Sequence, residues 1–322
     1  MRRFKNILVV ADERSASDAV LDRAAWLASA NEATLTLVDA LGGGTGELSR
    51  LLSTLSLSQT EEVEDQVLEV HRERLEGLAA PMRKDGLRVE TKLLHGTSFL
   101  QTIRHVLTFD NDLVIKGAHR GPDRPFLRGP DLHLLRKCPC PVWILNGESA
   151  PKARRILAAI DPDPQDRIRN NLNRLVLELS TSLARQDGAK LDVINAWHLQ
   201  EESILRHSRL KLREEDVRAI VASAEKESAG RLDSLMANFT EFEDLMRVLH
   251  IKGIASDVIS EHVSTEGIDT LVMGTIARTG IEGFFIGNTA ETILNRVGCS
   301  VLTVKPEGFV SPVTLDPGDP LA

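Results

Sequence analysis

The 322-residue chain has no tyrosine, and aromatic residues make up only 4% of it. It has no apolar run near the ~20 residues that a membrane-crossing helix requires, so no such span is expected. The early run Ile7-Leu-Val-Val-Ala11 is also too short for the apolar core of a signal peptide. Positive charge is not in excess: the formal net charge is −8. Such a balance gives no general attraction for nucleic-acid backbones or anionic lipid, so neither nucleic acid nor membrane is an expected partner. The three cysteines, Cys138, Cys140 and Cys299, are too few and too unevenly spaced for a disulfide framework, which points to a reducing, cytoplasmic compartment. There is no G-x-S-x-G elbow and no phosphate loop ending in Gly-Lys-Ser/Thr, so no catalytic residue is assigned. His119, His133, Cys138 and Cys140 are of ligand type, but Cys-Pro-Cys is not the usual C-x₂-C hook. Its thiols point apart if the backbone is extended, and no metal site is expected.

What is present is an α/β rhythm written twice. Ile7-Leu-Val-Val-Ala-Asp12 reads as a parallel strand buried on both faces and ending in a carboxylate. A helix over 15–30, a strand over 34–40 and a long helix over 60–84 follow, the last with Val63, Val67, Val70 and Leu78 on one expected core face. Gly42-Gly-Gly-Thr-Gly46 lacks the G-x-G-x-x-G spacing and reads as a loop. Strands over 87–94, 112–115 and 141–145 alternate with helices over 98–106 and 132–136. After the polar linker 147–153 the programme restarts: Ile156-Leu-Ala-Ala-Ile-Asp161 repeats the first strand, and Cys299-Ser-Val-Leu repeats Cys140-Pro-Val-Trp. The second long helix carries Val217, Ile220, Val221, Ala224, Leu232 and Leu235 at helical spacing. The fold class is therefore α/β, with two tandem Rossmann-like, doubly wound parallel-sheet domains over 1–147 and 153–307 and a mobile or surface-draped tail over 308–322. In such sheets the ligand crevice opens beyond the carboxyl ends of strands one and four, where Asp161 and Gly274 lie.

The stretch from Gly274 to Thr289 follows the apolar run Leu271-Val-Met273 and precedes a short helical pattern. Its glycines 274, 280, 283 and 287 offer positive φ and bare N–H groups, and Asn288 and Thr289 are favourable helix N-caps, Asn288 with Glu291 as a capping-box pair. A helix start preceded by such a loop can hold a phosphate, although strand-to-helix loops contain glycine for structural reasons alone.

These residues carry a family resemblance. Met273-Gly-Thr-Ile-Ala-Arg-Thr-Gly-Ile-Glu-Gly-Phe-Phe-Ile-Gly-Asn-Thr-Ala-Glu291, supported by His133 to Trp143 and Val310-Ser-Pro-Val313, resembles the tandem universal stress proteins over nearly all of residues 3–313. The resemblance implies the universal stress protein fold, a role in stress response, and a cleft for ATP or another adenine nucleotide in the second domain. Nucleotide-binding relatives carry G-x₂-G-x₉-G-[S/T], with the first-strand aspartate near the adenine. Here Asp161, Gly274 and Gly287 fit that pattern. Ala277 replaces the second glycine, Asn288 takes the hydroxyl position with Thr289 beside it, and Arg278 is placed to add a charged contact. In the first domain Lys116, His119 and Arg128 fall near the three glycine positions, so no such site is expected there. Binding without turnover is the leading expectation; slow ATP hydrolysis, or an interaction or lipophilic-ligand role using Phe284, Phe285 and Ile286, are the alternatives. The resemblance also implies pairing through the last strands, the two domains with each other, with a homodimer as the further assembly it allows.

Overall fold

In the computed structural model, which describes residues 4–13, 15–41, 60–118, 127, 129–147, 152–207, 212–275 and 286–315, the apolar runs become the central strands of one sheet. The first half contributes β1 (Asn6–Val10), β2 (Thr34–Leu41), β3 (Arg88–His95), β4 (Leu113–Gly117) and β5 (Val142–Leu145). Its helices are α1 (Asp18–Asn31), α2 (Thr60–Lys84), α3 (Ser98–Phe109) and α4 (Gly129–Lys137). The second half contributes β6 (Arg155–Ala159), β7 (Lys190–Trp197), β8 (Met246–Lys252), β9 (Thr270–Gly274) and β10 (Ser300–Val304). Its helices are α5 (Arg167–Asp187), α6 (Glu202–His207), α7 (Glu214–Met236), α8 (Ala255–Glu266) and α9 (Asn288–Arg296).

The strand order is β3-β2-β1-β4-β5-β10-β9-β6-β7-β8. Pairing is parallel throughout except at the centre, where β5 and β10 run antiparallel with Trp143 opposite Leu302. One face is covered by α1, α2, α5 and α7 and the other by α3, α4, α8 and α9, so each apolar core runs through both halves. Strands such as β4 and β10 are buried at every position and so show no apolar–polar alternation, because neither face meets water.

Side chains from both halves close the seam. Arg23 of α1 makes a bidentate pair with Asp187, the last residue of α5, at 2.7 and 2.8 Å, and its guanidinium lies 4.7 Å from the Trp26 ring centroid and 4.8 Å from that of Trp143. Arg136 pairs with Glu291, and the Asn146 amide donates to the Gly298 carbonyl at 3.0 Å.

Two expectations about helix faces are corrected here, and the tail takes the surface-draped form. On α2 the buried side chains are Leu75, Ala79 and Met82, whereas Val70 is 62% exposed. Among its described side chains the fully buried ones lie in the C-terminal part of that 25-residue helix, where Leu78 also packs against the core as expected, while Val70 in the preceding turns does not mark core. On α7 Val217, Leu232 and Leu235 are buried but Ile220 is 41% exposed, at the edge of the buried stripe that Val217, Ser228 and Leu235 define. The described start of the tail is draped over the first half: the Ser311 hydroxyl donates to the Lys137 carbonyl, Arg104 Nε donates to the Thr314 carbonyl, and Val313 is buried. The Gly42–Gly46 loop lies outside the described residues.

Candidate nucleotide cleft

The register of the second half brings the two sequence-predicted ends together. β6 and β9 are neighbours with Ala159 opposite Met273, so the chain leaving β6 toward Asp161 and Gly274 closing β9 emerge side by side at the carboxyl edge. Asp161 is held from both sides by Asn173 of α5, whose Oδ1 accepts from the Asp161 N–H at 3.0 Å and whose Nδ2 donates to its carbonyl at 2.8 Å. Its carboxylate shares Arg169 with Asp163 and Asp166, at 3.7, 3.1 and 3.5 Å. One guanidinium thus faces three carboxylates, and the Asp161 side chain remains 45% exposed.

The loop is closed at its base. Thr275 is buried, its carbonyl accepts from the Gly287 N–H at 2.9 Å, and its hydroxyl accepts from Lys305, whose ammonium-bearing end also donates to the Leu135 carbonyl of α4. Ala277 and Arg278 lie outside the described residues, as do Gly280, Gly283, Phe284 and Phe285. Ile286 is buried against the core face of α4 and α9.

The glycines and caps act differently from the sequence reading. Gly274 is not among the positive-φ glycines; it is needed because a Cβ there would stand 2.6 Å from Leu172 Cδ2 of α5. Gly287 has φ −62° and is itself the N-cap of α9, without a side-chain cap, so Asn288 and Thr289 fall inside the first turn. Both residues are exposed, and the first turn of α9 has no side-chain cap for its amides. Glu291 does not complete a capping box; it reaches across the seam to Arg136.

In the first half the equivalence shifts by one residue. Val10 pairs with Lys116 as Ala159 pairs with Met273, so Gly117, not Lys116, occupies the place of Gly274. Lys116 is a strand residue whose ammonium pairs with Asp131 of α4 at 2.8 Å, both side chains almost wholly buried. His119 and Arg128 lie outside the described residues. A further difference was not read from sequence. Asp39 at the end of β2 accepts from Arg74 at 3.2 Å and contacts His71 at 2.8 Å, and Arg74 also donates to the Ala11 carbonyl at 2.7 Å. The register places Asn195 where the first half has Asp39, and its amide donates to the Ile160 carbonyl at 3.2 Å. Ser228 of α7 then bonds Asn195, and His250 bonds Ser228, completing a small chain of polar side chains. A guanidinium therefore spans the first cleft beside β1 and β2, while the second has an amide and a hydroxyl there.

This twofold arrangement is matched in sequence. The profile of the universal stress protein family aligns with residues 3–146 and again with residues 152–305. The chain belongs to the universal stress protein family. As a tandem member it is a stress-response protein, and it is 26% identical to Universal stress protein E of Salmonella typhi over 99% of this chain and 100% of that protein. It is likewise 26% identical to Universal stress protein E of Escherichia coli (strain K12) over 98% of both chains. A universal stress protein from Pseudomonas aeruginosa UCBPP-PA14 superposes with a TM-score of 0.65 at 23% identity, covering 95% of this chain and 94% of that one. A universal stress protein from Archaeoglobus fulgidus DSM 4304 superposes at 0.61 and 14% identity over 93% and 98% of the two chains, a likeness of fold. No helix among the described residues is long and apolar enough to cross a membrane.

Proposed function

We propose that this universal stress protein binds one adenine nucleotide per chain, in the second-half cleft, without turning it over. The observation that carries the reading is the side-by-side emergence of Asp161 and Gly274 from β6 and β9, with the uncapped first turn of α9 closing the same loop. The exposed Asp161 carboxylate offers an acceptor for ribose or adenine donors, and the α9 amides offer partial positive charge to phosphates. The Arg74 guanidinium at the Ala11 carbonyl supports confinement to the second half. Arg169, 3.7 Å from the Asp161 carboxylate, partly offsets its charge and weakens it as a cation ligand, which favours binding over metal-assisted hydrolysis.

Calorimetric titration of the full chain with ATP tests this reading. One site per chain is expected, weakened by Asp161→Ala and left intact by Asp12→Ala. Two sites of comparable affinity, or loss on Asp12→Ala alone, overturn the assignment to the second half, and steady phosphate release overturns binding without turnover.

A further inference from the structure

Cys138-Pro139-Cys140 joins α4 to β5, beside the seam between the halves. The segment is not extended. The Cys138 N–H still donates to the Leu134 carbonyl and ends the helix, Pro139 cannot prolong it, and the chain bends into β5. The bend turns both side chains the same way, and the two sulfurs meet at 3.5 Å. A disulfide needs them at ~2.05 Å, so the remaining approach is about 1.5 Å, within reach of side-chain rotation and a small adjustment of the bend.

Two further observations separate this pair from an ordinary buried dithiol or a metal hook. No group of three or more potential metal ligands is found among the described residues, whereas a structural zinc site takes four ligands. The pair also has an approach from one side. Cys138 is buried, whereas Cys140 is half-buried and is the member of the pair nearer solvent.

We propose that Cys138 and Cys140 form a thiol–disulfide couple, a modification site at which a small disulfide of the glutathione class closes an intramolecular bond. The Cys140 thiolate attacks one sulfur of the small disulfide, forming a mixed disulfide and expelling one small thiolate. The Cys138 thiolate then attacks Cys140 Sγ and expels the second. The protein loses two electrons and two protons, and the small disulfide gains them as two thiols. The contact with Cys138, followed by burial, pushes the Cys140 thiol well above its ordinary range, so its thiolate is scarce near neutral pH and exchange is slow. The site is therefore read by its equilibrium rather than by its rate.

The test equilibrates the full chain anaerobically in glutathione buffers of graded poise, then acid-quenches, unfolds, alkylates with N-ethylmaleimide and weighs it. The expected result is three alkylated cysteines at the reducing end and one, Cys299, at the oxidising end, with the peptide carrying both Cys138 and Cys140 internally cross-linked. Cys299→Ser should still lose two alkylation sites, and Cys140→Ser should lose none to an internal bond. Three alkylated thiols at the most oxidising poise overturn the proposal. So does a stable glutathione adduct on Cys140 with Cys138 still alkylatable, or a cross-link involving Cys299. Because the cross-link is located in the unaltered chain, the outcome does not depend on whether either variant folds.

Discussion

Replacing Asp187 by asparagine is expected to be among the most destabilising single-charge changes in the chain. Asp187 ends α5, where the helix dipole disfavours a carboxylate, and its side chain is fully buried. It is held by the bidentate Arg23 pair and by the Ala153 N–H at 3.0 Å. The amide of the Asp187→Asn variant would keep the shape but deprive the buried Arg23 guanidinium, packed between two indole rings, of this counter-charge. Removing one partner of a buried ion pair costs about 3–5 kcal/mol, most of it the penalty of the stranded charge. With a urea dependence of about 3 kcal/mol per molar for a chain of this size, the midpoint should fall by roughly 1–1.7 M. Tryptophan fluorescence in a urea titration reports it, since Trp26 and Trp143 flank Arg23. The double change Arg23→Met, Asp187→Leu should recover much of the loss, because a well-packed apolar pair often matches a buried ionic one. A loss of under ~1 kcal/mol for Asp187→Asn, the value of a solvated pair, would refute the claim that this contact clamps the halves.

Ala277→Gly should tighten ATP binding about five- to thirtyfold by calorimetry, if this position takes the left-handed conformation that the family's glycine permits, since a Cβ there costs ~1–2 kcal/mol; unchanged affinity contradicts it. Gly117→Ala should lower the melting temperature more than Gly274→Ala, because the new Cβ would meet the Ser15 carbonyl oxygen at 2.0 Å in the first case and a movable Leu172 methyl at 2.6 Å in the second; equal losses in a thermal scan contradict the ranking. Burial pushes the Lys305 amine down to about 7, so the folded state binds fewer protons than the unfolded state from there up to the ordinary lysine range. Stability from this group should thus rise with pH across about 7 to 10, its penalty being full below pH 7. Lys305→Met should be stabilised relative to the parent most at low pH, with the difference shrinking toward pH 10; a gap that widens with pH in denaturant titrations contradicts the sign.

Much of the architecture is local information. The runs at Ile7 and Ile156 read as doubly buried strands, and the near-constant offset between the repeats reveals the duplication before any contact is known. That Asp161 and Gly274 share a crevice also follows from alternating strands and helices, since right-handed crossovers leave few strand orders. Periodicity was less informative on the long helices: Val70 lies N-terminal to the buried part of its helix, and Ile220 keeps helical spacing yet sits at the edge of the buried stripe.

Hydrophobic period and motif spacing are properties of the chain alone, and they account for the two α/β repeats, the carboxyl-edge position of Asp161 and Gly274, and the family. That Gly274 meets Leu172, that Gly287 rather than Asn288 caps α9, that Arg74 reaches the Ala11 carbonyl, and that Cys138 and Cys140 converge all come from packing. Each depends on the register of neighbouring strands or on how a helix packs and ends against them, and a one-residue shift, as between Lys116 and Gly117, exchanges a strand side chain for a cleft residue.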